Sequence, residues 1–246
     1  MKITIEKYNK NWPIIFEEEK LRLKNILGSH AINIYHVGST SVPELAAKPK
    51  IDIIVTTDKF EIVRKLLPDK YVYKGEFNIP FRDFYGKYAD IKYNIHVFEE
   101  GNNEVKSIIM FRDYLRNNKL ARKEYELTKL KAAEQEDSSS KNEIGLPKYN
   151  TYKNNAIKKI LKLAGFNDYI VRYVSQKDES DYFDRLYNLK SSPYKKYILY
   201  KGTELVGASA IDNCGEIILI KANSDTDFLY LENFMKRVQE SLLAPG

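Results

Sequence analysis

The sequence lacks the features that mark secreted, membrane and disulfide-stabilised proteins. Its single cysteine, Cys214, excludes an intramolecular disulfide and is typical of proteins from reducing compartments. No stretch approaches the ~20 apolar residues that span a bilayer. Residues 1–6 alternate charged and apolar side chains and contain no apolar core of a signal peptide. We therefore expect a cytoplasmic protein that is not inserted in a membrane.

Signatures of nucleic-acid-binding domains are also absent. No homeodomain, zinc-finger or RNA-recognition pattern occurs, so nucleic acid is not an expected partner. The net charge of +6 belongs to the amino-terminal part, because residues 166–246 contain 10 Lys/Arg and 12 Asp/Glu. A basic domain attracts anions such as nucleotide phosphates, although a solvated lysine-rich surface explains the same charge.

The sequence does contain enough apolar and aromatic residues for a core, with 43% hydrophobic residues, 19 Tyr and 11 Phe. The spacing of Trp12, Phe16, Leu23 and Leu27 predicts a helix that ends at Gly28, with residues 17–20 turned mostly outward. Further helices are predicted at residues 60–67, from residue 107, at 120–134 and around 157–164. Strands are predicted at residues 32–37, 51–55, 71–74 and 93–98. A mobile loop is predicted at 136–143.

The pattern changes after Gly165. The order there becomes strand, helix, three strands and a final helix, with predicted strands at 169–174, 197–200, 205–211 and 216–220. The predicted helices cover residues 179–189 and 228–242. We therefore expect an α+β protein with two domains, 1–165 and 166–246, the second a small α+β module.

A run of small and polar residues after the first strand carries the chemical signal. A strand that ends in Gly38-Ser39 lets the backbone approach a phosphate closely, so that the Ser39 hydroxyl and the N–H groups around Thr40 can bind it. A carboxylate on the next strand, Asp52, can hold Mg²⁺ against the same phosphates.

Several segments in this order resemble the GrpB-like family of the nucleotidyltransferase superfamily. They are Trp12 with Phe16, residues 36–43 and 46–52, Gly75-Glu76, Pro80 with Arg82, residues 94–97 and 111–116, and Tyr149 with Lys153. The resemblance implies a nucleotidyltransferase-fold mixed sheet flanked by helices, with Gly38 and Ser39 in its phosphate-binding turn. It also implies an NTP or another phosphate-bearing small molecule as ligand and Mg²⁺ as cofactor, with Asp52 as metal ligand.

The sequence departs from active members of that superfamily at the metal site. Active members place two carboxylates two residues apart on the second strand, whereas this chain has Asp52 and Ile54. A third carboxylate is usual on a neighbouring strand, where this chain has Asn94 and His96. Because Mg²⁺ prefers oxygen ligands, either the chemistry differs from two-metal transfer or the domain binds without reacting.

The candidate catalytic residues Asp52, His96 and His36 each have a structural alternative. Asp52 lies in an apolar strand, where an ion pair with Lys48 or Arg82 would also satisfy it. His96 is expected on a strand beside Asp52. His36 acts either as a ligand or as a strand residue bonded to a backbone carbonyl.

Further candidate ligand-binding residues are Lys48 and four residues from later segments. Glu76 and Arg82 are predicted, with Lys87, in a loop around Pro80, where Glu76 replaces a missing metal ligand and Arg82 binds a phosphate or an ion-pair partner. Arg112 and Arg116 are one helical turn apart, so they either line a phosphate site or lie solvated on the helix.

The second module resembles the first half of a GNAT acyltransferase. The segment 221–227 contains two acids and no glycine where that family binds the pyrophosphate of acetyl-CoA, so acetyl transfer is not expected. A docking or dimerisation role remains, with a second copy or another protein as partner. For the whole chain three hypotheses stay open: a metal-assisted nucleotidyltransferase, a non-catalytic sensor of nucleotides or CoA-type ligands, and an interaction scaffold.

Overall fold

A computed structural model describes residues 4–134, 148–186 and 195–243 of the chain. These residues form two compact units, one made mainly of residues 4–166 and the other mainly of residues 167–243. The loop predicted at 136–143 and the last turn of the helix predicted at 179–189 lie outside the described residues.

The first unit contains five helices and five strands within its described residues. The helices are α1 (Trp12–Leu27), α2 (Phe60–Leu66), α3 (Asn103–Asn117), α4 (Lys119–Glu134) and α5 (Lys148–Leu163). The strands are β1 (Asn33–Val37), β2 (Lys50–Thr57), β3 (Val72–Tyr73), β4 (Asp83–Tyr88) and β5 (Lys92–Glu99). Short 3₁₀ turns follow α1 and β1, at Gly28–His30 and Ser39–Ser41.

The strands form one mixed sheet in the order β1-β2-β5-β4-β3. The central pair, β2 and β5, is parallel and the other pairs are antiparallel. The parallel register sets Asp52 beside Asn94 and Ile54 beside His96. Because alternate residues of a strand share a face, Asp52, Asn94 and His96 lie on the same side of the sheet. The predicted mixed sheet with flanking helices is confirmed.

The two main apolar clusters hold the described part of this unit together. The larger one packs α1 and α2 against the sheet face that carries Ile53 and Ile95, both fully buried. The smaller one joins α3, α4 and α5 to the loop between β1 and β2 through residues such as Leu45 and Leu115. Apolar packing against these three helices therefore holds the loop between β1 and β2 in place.

Strand β4 corrects the prediction of a loop around Lys87. Asp83 and Lys87 are both buried within it, and their charged partners come from helices far away in sequence. The Asp83 carboxylate accepts two hydrogen bonds from Arg64, at 2.7 and 2.8 Å. The Lys87 ammonium lies 2.5 Å from Glu19. Charged residues in a short segment favour a loop unless distant partners neutralise them, as they do here.

The prediction that residues 17–20 face outward is wrong for Glu19, which is fully buried. Its carboxylate accepts hydrogen bonds from Lys87, from the Tyr71 hydroxyl at 2.7 Å and from Arg22 at 3.0 Å. Glu19 falls on the same helical stripe as Phe16 and Leu23, so the apolar face of α1 contains one carboxylate that the sheet satisfies.

The second unit is a four-stranded antiparallel sheet with two helices among its described residues. Its elements are β6 (Tyr169–Tyr173), α6 (Lys177–Leu186), β7 (Lys195–Lys201), β8 (Glu204–Ile211), β9 (Ile217–Ala222) and α7 (Asp225–Leu243). The strands lie in sequence order. The predicted order of elements is confirmed, while the docking role and the acyltransferase resemblance stay predictions. No helix in the described ranges is both long and apolar enough to cross a bilayer.

Candidate functional site

The loop after β1 forms a tight turn beside the start of β2. The Gly38 carbonyl accepts hydrogen bonds from the Ser41 backbone N–H, at 3.2 Å, and from the Ser41 hydroxyl, at 2.6 Å. The Thr40 hydroxyl donates to the Lys50 carbonyl, at 3.0 Å. Within the described parts of the chain, the N–H groups of Ser39 and Thr40 have no protein acceptor. The turn therefore presents two backbone donors of the kind that bind phosphate, and phosphate binding by this turn stays a prediction.

Gly38 is required at this turn for two reasons. Its backbone has φ 71° and ψ −174°, a region that is essentially limited to glycine. A Cβ atom on Gly38 would also collide with the carboxylate of Asp52. The turn and the carboxylate consequently pack against each other at a distance that only glycine permits.

Gly38→Ala is expected to destabilise the protein by more than the ~1–3 kcal/mol of backbone strain alone. The matched control is Gly28→Ala, because Gly28 has φ 56° but open space around its Cβ position. Chemical denaturation of both variants separates the two effects. Equal losses of unfolding free energy in the two variants would contradict the close contact with Asp52.

Asp52 is the only carboxylate on the cavity side of β2. Its Oδ1 atom accepts a hydrogen bond from the Asn94 amide at 2.9 Å and lies 3.1 Å from the Lys50 ammonium. Burial opposes ionisation of Asp52, but the Lys50 charge and His96 outweigh burial and hold its pKa well below the ordinary value. The carboxylate is therefore a fixed negative charge at neutral pH.

His96 links Asp52 to Arg82. The His96 Nε2 atom lies 3.9 Å from Asp52 Oδ1, and its Nδ1 atom lies 3.3 Å from a guanidinium nitrogen of Arg82. A guanidinium only donates hydrogen bonds, so Nδ1 accepts and the proton resides on Nε2, facing Asp52. Burial, aided by the Arg82 charge, lowers the His96 pKa and keeps the ring neutral.

A cavity of about 100 Å³ opens between the turn and Asp52. It is lined by two hydroxyl residues, four lysines and one carboxylate: Ser39, Thr40, Lys48, Lys50, Lys129, Lys153 and Asp52. The four ammonium groups outnumber the carboxylate, so the cavity attracts anions.

Two of the lysines reach the cavity from helices. Lys129 on α4 is almost fully buried and donates a 2.5 Å hydrogen bond to the Ala46 carbonyl. Burial and the neighbouring Lys153 lower the pKa of Lys129 to about 7. Burial and the charge of Lys50 likewise lower the pKa of Lys153, on α5, to about 8. The cavity thus crowds positive charges that an anion would neutralise.

Comparison with known proteins places this site in a family. The family model described as GrpB protein matches residues 2–163. The chain belongs to the GrpB family. The match covers the whole first unit up to α5, including the turn at Gly38 and all four cavity lysines, so the site is part of the GrpB region of the chain.

Individual relatives support the GrpB assignment. The crystal structure of the conserved protein GrpB from Enterococcus faecalis superposes with a TM-score of 0.56 and is 32% identical, covering 65% of this chain and 96% of that one. The glutamate-rich protein GrpB of Alkalihalophilus pseudofirmus is 31% identical over 137 residues, 52% of this chain and 79% of that protein. The UPF0157 protein YqkA of Bacillus subtilis is 35% identical over 189 residues, 74% of this chain. The matched part spans only 55% of YqkA.

The residues of this GrpB site do not fit a Mg²⁺ ion. Among the described residues, Asp52 is the single carboxylate that lines the cavity, and it already faces Asn94 and Lys50. The Nε2 atom of His96 carries a proton and has no lone pair for a metal. Residues 4–134, 148–186 and 195–243 bring no three His, Cys, Asp or Glu side chains together as a metal cage. Four lysines at the same cavity would repel a divalent cation.

His36 lies beneath the turn, on the apolar side of β1. Its ring stacks on Phe16, with centroids 4.6 Å apart and planes at 11°. Its Nε2 atom lies 3.1 Å from the Thr40 hydroxyl, whose own proton goes to the Lys50 carbonyl, so His36 donates. Burial lowers the pKa of His36 to about 4, and the ring is neutral at pH 7. These contacts make His36 a support of the turn.

Arg112 and Arg116 on α3 also support the turn and are not among the residues that line the cavity. Arg112 donates to the His36 carbonyl at 3.0 Å, and Arg116 donates twice to the Ser41 carbonyl, at 3.0 and 2.8 Å. Both side chains fasten the loop ends to α3.

Glu76 and Arg82 lie together at the turn that leads into β4. The Glu76 carboxylate accepts the Phe81 N–H at 2.7 Å. The Glu76 carbonyl accepts two hydrogen bonds from Arg82, at 3.3 and 3.0 Å. Arg82 therefore orients the His96 ring, and the Glu76 carboxylate stabilises the turn before β4.

The site residues predicted from the sequence did not include Lys50, Lys129 and Lys153. Lys129 follows Ala121 and Tyr125 on the buried stripe of α4, and a lysine at such a position is a sign of a functional or paired charge. Lys50 lies two residues before Asp52 on the same strand and hence on the same face. Lys153 belongs to a segment that resembles the family.

Proposed function

We propose that this GrpB domain binds a phosphate-bearing small molecule, such as a nucleotide, in the lysine-lined cavity beside Gly38. The lysine ammonium groups, rather than a metal ion, hold the phosphates. The observation that carries the proposal is the gathering of four lysines and one carboxylate at the turn, where the Ser39 and Thr40 N–H groups have no acceptor within residues 4–134, 148–186 and 195–243.

Charge is the first support for this proposal. Burial disfavours the charged forms of Lys129 and Lys153 and lowers the pKa of each, and the charge of a neighbouring lysine adds to this effect. Lowered lysine pKa values are common at binding sites, where a bound anion adds negative charge beside the ammonium groups. A phosphate accepts several charge-assisted hydrogen bonds at once, so it satisfies lysines and backbone donors together.

The role of Asp52 follows from its neighbours. Its negative charge holds Lys50 and the neutral His96 in place, and its contact with Gly38 sets the position of the turn. Asp52 is thus a positioning residue for the phosphate-binding groups. This assignment matches the hypothesis of a nucleotide or CoA-type sensor better than that of a two-metal transferase.

Nucleotidyl transfer remains a second candidate function because of Lys129. A lysine whose pKa is about 7 accepts a proton readily at neutral pH, as a general base must. In an incubation with ATP alone, water is the acceptor and the products are AMP and pyrophosphate. Chromatography for both products tests this transfer, and their absence would exclude transfer to water.

A thermal-shift screen with ATP, GTP, CTP, UTP, CoA and tripolyphosphate tests the proposed binding. A ligand at 100 times its dissociation constant stabilises the fold by about 2.7 kcal/mol, which is readily detected. We expect stabilisation by the phosphate compounds in EDTA as well as in Mg²⁺. No shift with any compound would overturn the proposal, and shifts seen only with Mg²⁺ would overturn the metal-free mode.

Phosphate affinity is expected to fall as the pH rises from 7 to 9. In the free protein Lys129 and Lys153 lose their protons with pKa values of about 7 and about 8, whereas a bound phosphate raises both. The phosphate affinity that the charged forms of the two lysines contribute is therefore complete below pH 7. Above pH 7 the affinity falls by up to about tenfold per pH unit for each lysine. Calorimetry in buffers of different ionisation enthalpy should show proton uptake at pH 8. A flat profile would contradict the role of the two lysines.

A further inference from the structure

A row of aromatic rings leads away from the cavity along the same face of the sheet. His96, next to Asp52, stacks on Phe84 with ring centroids 5.0 Å apart and planes at 29°. Phe84 in turn contacts Phe77, with centroids 5.8 Å apart. Since Asp52 lines the cavity, the row is continuous from the phosphate-binding groups to Phe77.

Phe77, the ring of this row farthest from the cavity, is exposed to solvent. Phe77 is 63% exposed, the largest exposed fraction of any phenylalanine among the described residues. Its backbone has φ 59°, a left-handed conformation that strains a bulky residue by about 1–3 kcal/mol. Glu76 fixes this turn through Phe81 and Arg82. The turn therefore keeps the Phe77 ring exposed even though its backbone conformation is strained.

The neighbouring charges favour an aromatic ligand group over an aliphatic one. The Arg82 guanidinium lies 5.2 Å from the Phe84 ring and is itself buried. The Lys74 ammonium lies 5.9 Å from the same ring. Cations and aromatic rings together form the kind of surface on which nucleobases stack.

We infer that Phe77 and Phe84 form a stacking surface for the base of a ligand whose phosphates occupy the lysine-lined cavity. The inference rests on the proposed function and narrows its ligand to a nucleotide, as opposed to an inorganic polyphosphate or a sugar phosphate. Because every base has a π-face, stacking alone discriminates little among the four nucleotides.

The test compares ATP with tripolyphosphate, since the two share the phosphate chain and only ATP carries a base. Calorimetric dissociation constants in EDTA are measured for the wild type, Phe77→Ala and Phe77→Trp. We expect Phe77→Ala to weaken ATP binding about tenfold or more and to leave tripolyphosphate binding unchanged. Phe77→Trp should keep the wild-type ratio of the two constants. Phe228→Ala, which removes a 40% exposed phenylalanine from the second unit, is the control and should also keep it.

An unchanged ratio of the two dissociation constants in Phe77→Ala overturns the inference. The ratio stays the same when neither ligand loses affinity, or when both lose it equally, as a purely structural role of Phe77 would produce. A failure of both ligands to bind the wild type is a different result. It overturns the proposed phosphate site itself, whereas tight tripolyphosphate binding with an unchanged ratio overturns only the base-stacking surface.

Discussion

Lys153→Met is expected to lower the affinity for tripolyphosphate about 10- to 100-fold without lowering the unfolding free energy. A hydrogen bond from a charged group contributes about 1.5–3 kcal/mol, and Lys153 faces the cavity from α5. Stability should hold because burial and the charge of Lys50 already disfavour the charged form of Lys153. Calorimetry gives the affinity and chemical denaturation the unfolding free energy.

The matched control is Lys159→Met on the same helix. Lys159 is 65% exposed at its side chain and pairs with Glu124 at the surface, so its loss should leave both quantities nearly unchanged. If Lys153→Met binds tripolyphosphate as tightly as the wild type, the cavity does not bind phosphate as proposed. If it unfolds more easily, Lys153 stabilises the fold instead.

Glu19→Ala is expected to destabilise the protein by about 3–5 kcal/mol, because it leaves the buried Lys87 ammonium without its partner. For a chain of this size the melting temperature should fall by on the order of 10 °C. Burial raises the Glu19 pKa, but the hydrogen bonds from Lys87, Tyr71 and Arg22 outweigh burial and lower it. The stabilisation is therefore present above the ordinary pKa of about 4.3 and is lost as the pH falls through the lowered value.

Glu18→Ala provides the comparison for Glu19→Ala. Glu18 is 59% exposed at its side chain and lies 3.8 Å from Arg22, so its removal should cost less than about 0.5 kcal/mol. The double variant Glu19→Leu with Lys87→Met should recover much of the loss, since it removes both buried charges. Equal effects of the two single alanine variants would contradict the buried ion pair.

The helices and the apolar strands could be predicted from the sequence because burial dictates their patterns. Trp12, Phe16 and Leu23 repeat at helical spacing, and residues 51–55 are almost wholly apolar. Strand β4 was missed because Asp83 and Lys87 look like surface residues until Arg64 and Glu19, each from a distant helix, neutralise them. Local pattern cannot reveal such pairs.

The site was predictable only where it is continuous in the chain. The turn at Gly38 and the carboxylate of Asp52 are close in sequence, and adjacent strands bring them together. Lys129 and Lys153 reach the cavity from helices that follow the sheet in the chain. Their spacing in the sequence therefore does not predict that they belong to the site. His96 lies beside Asp52 as expected, but the contact with Arg82 leaves the proton on the Nε2 atom that faces Asp52, so this atom has no lone pair for a metal. The His36 ring donates to Thr40 and stacks on Phe16.

The most direct test of phosphate binding by lysines is calorimetric titration of the wild-type chain with tripolyphosphate, once in EDTA and once in excess Mg²⁺. The lysine-lined cavity predicts saturable one-site binding in EDTA that Mg²⁺ weakens or leaves unchanged, because Mg²⁺ competes for the phosphates. Binding that appears only when Mg²⁺ is present would contradict it and would restore Asp52 to the role of a metal ligand.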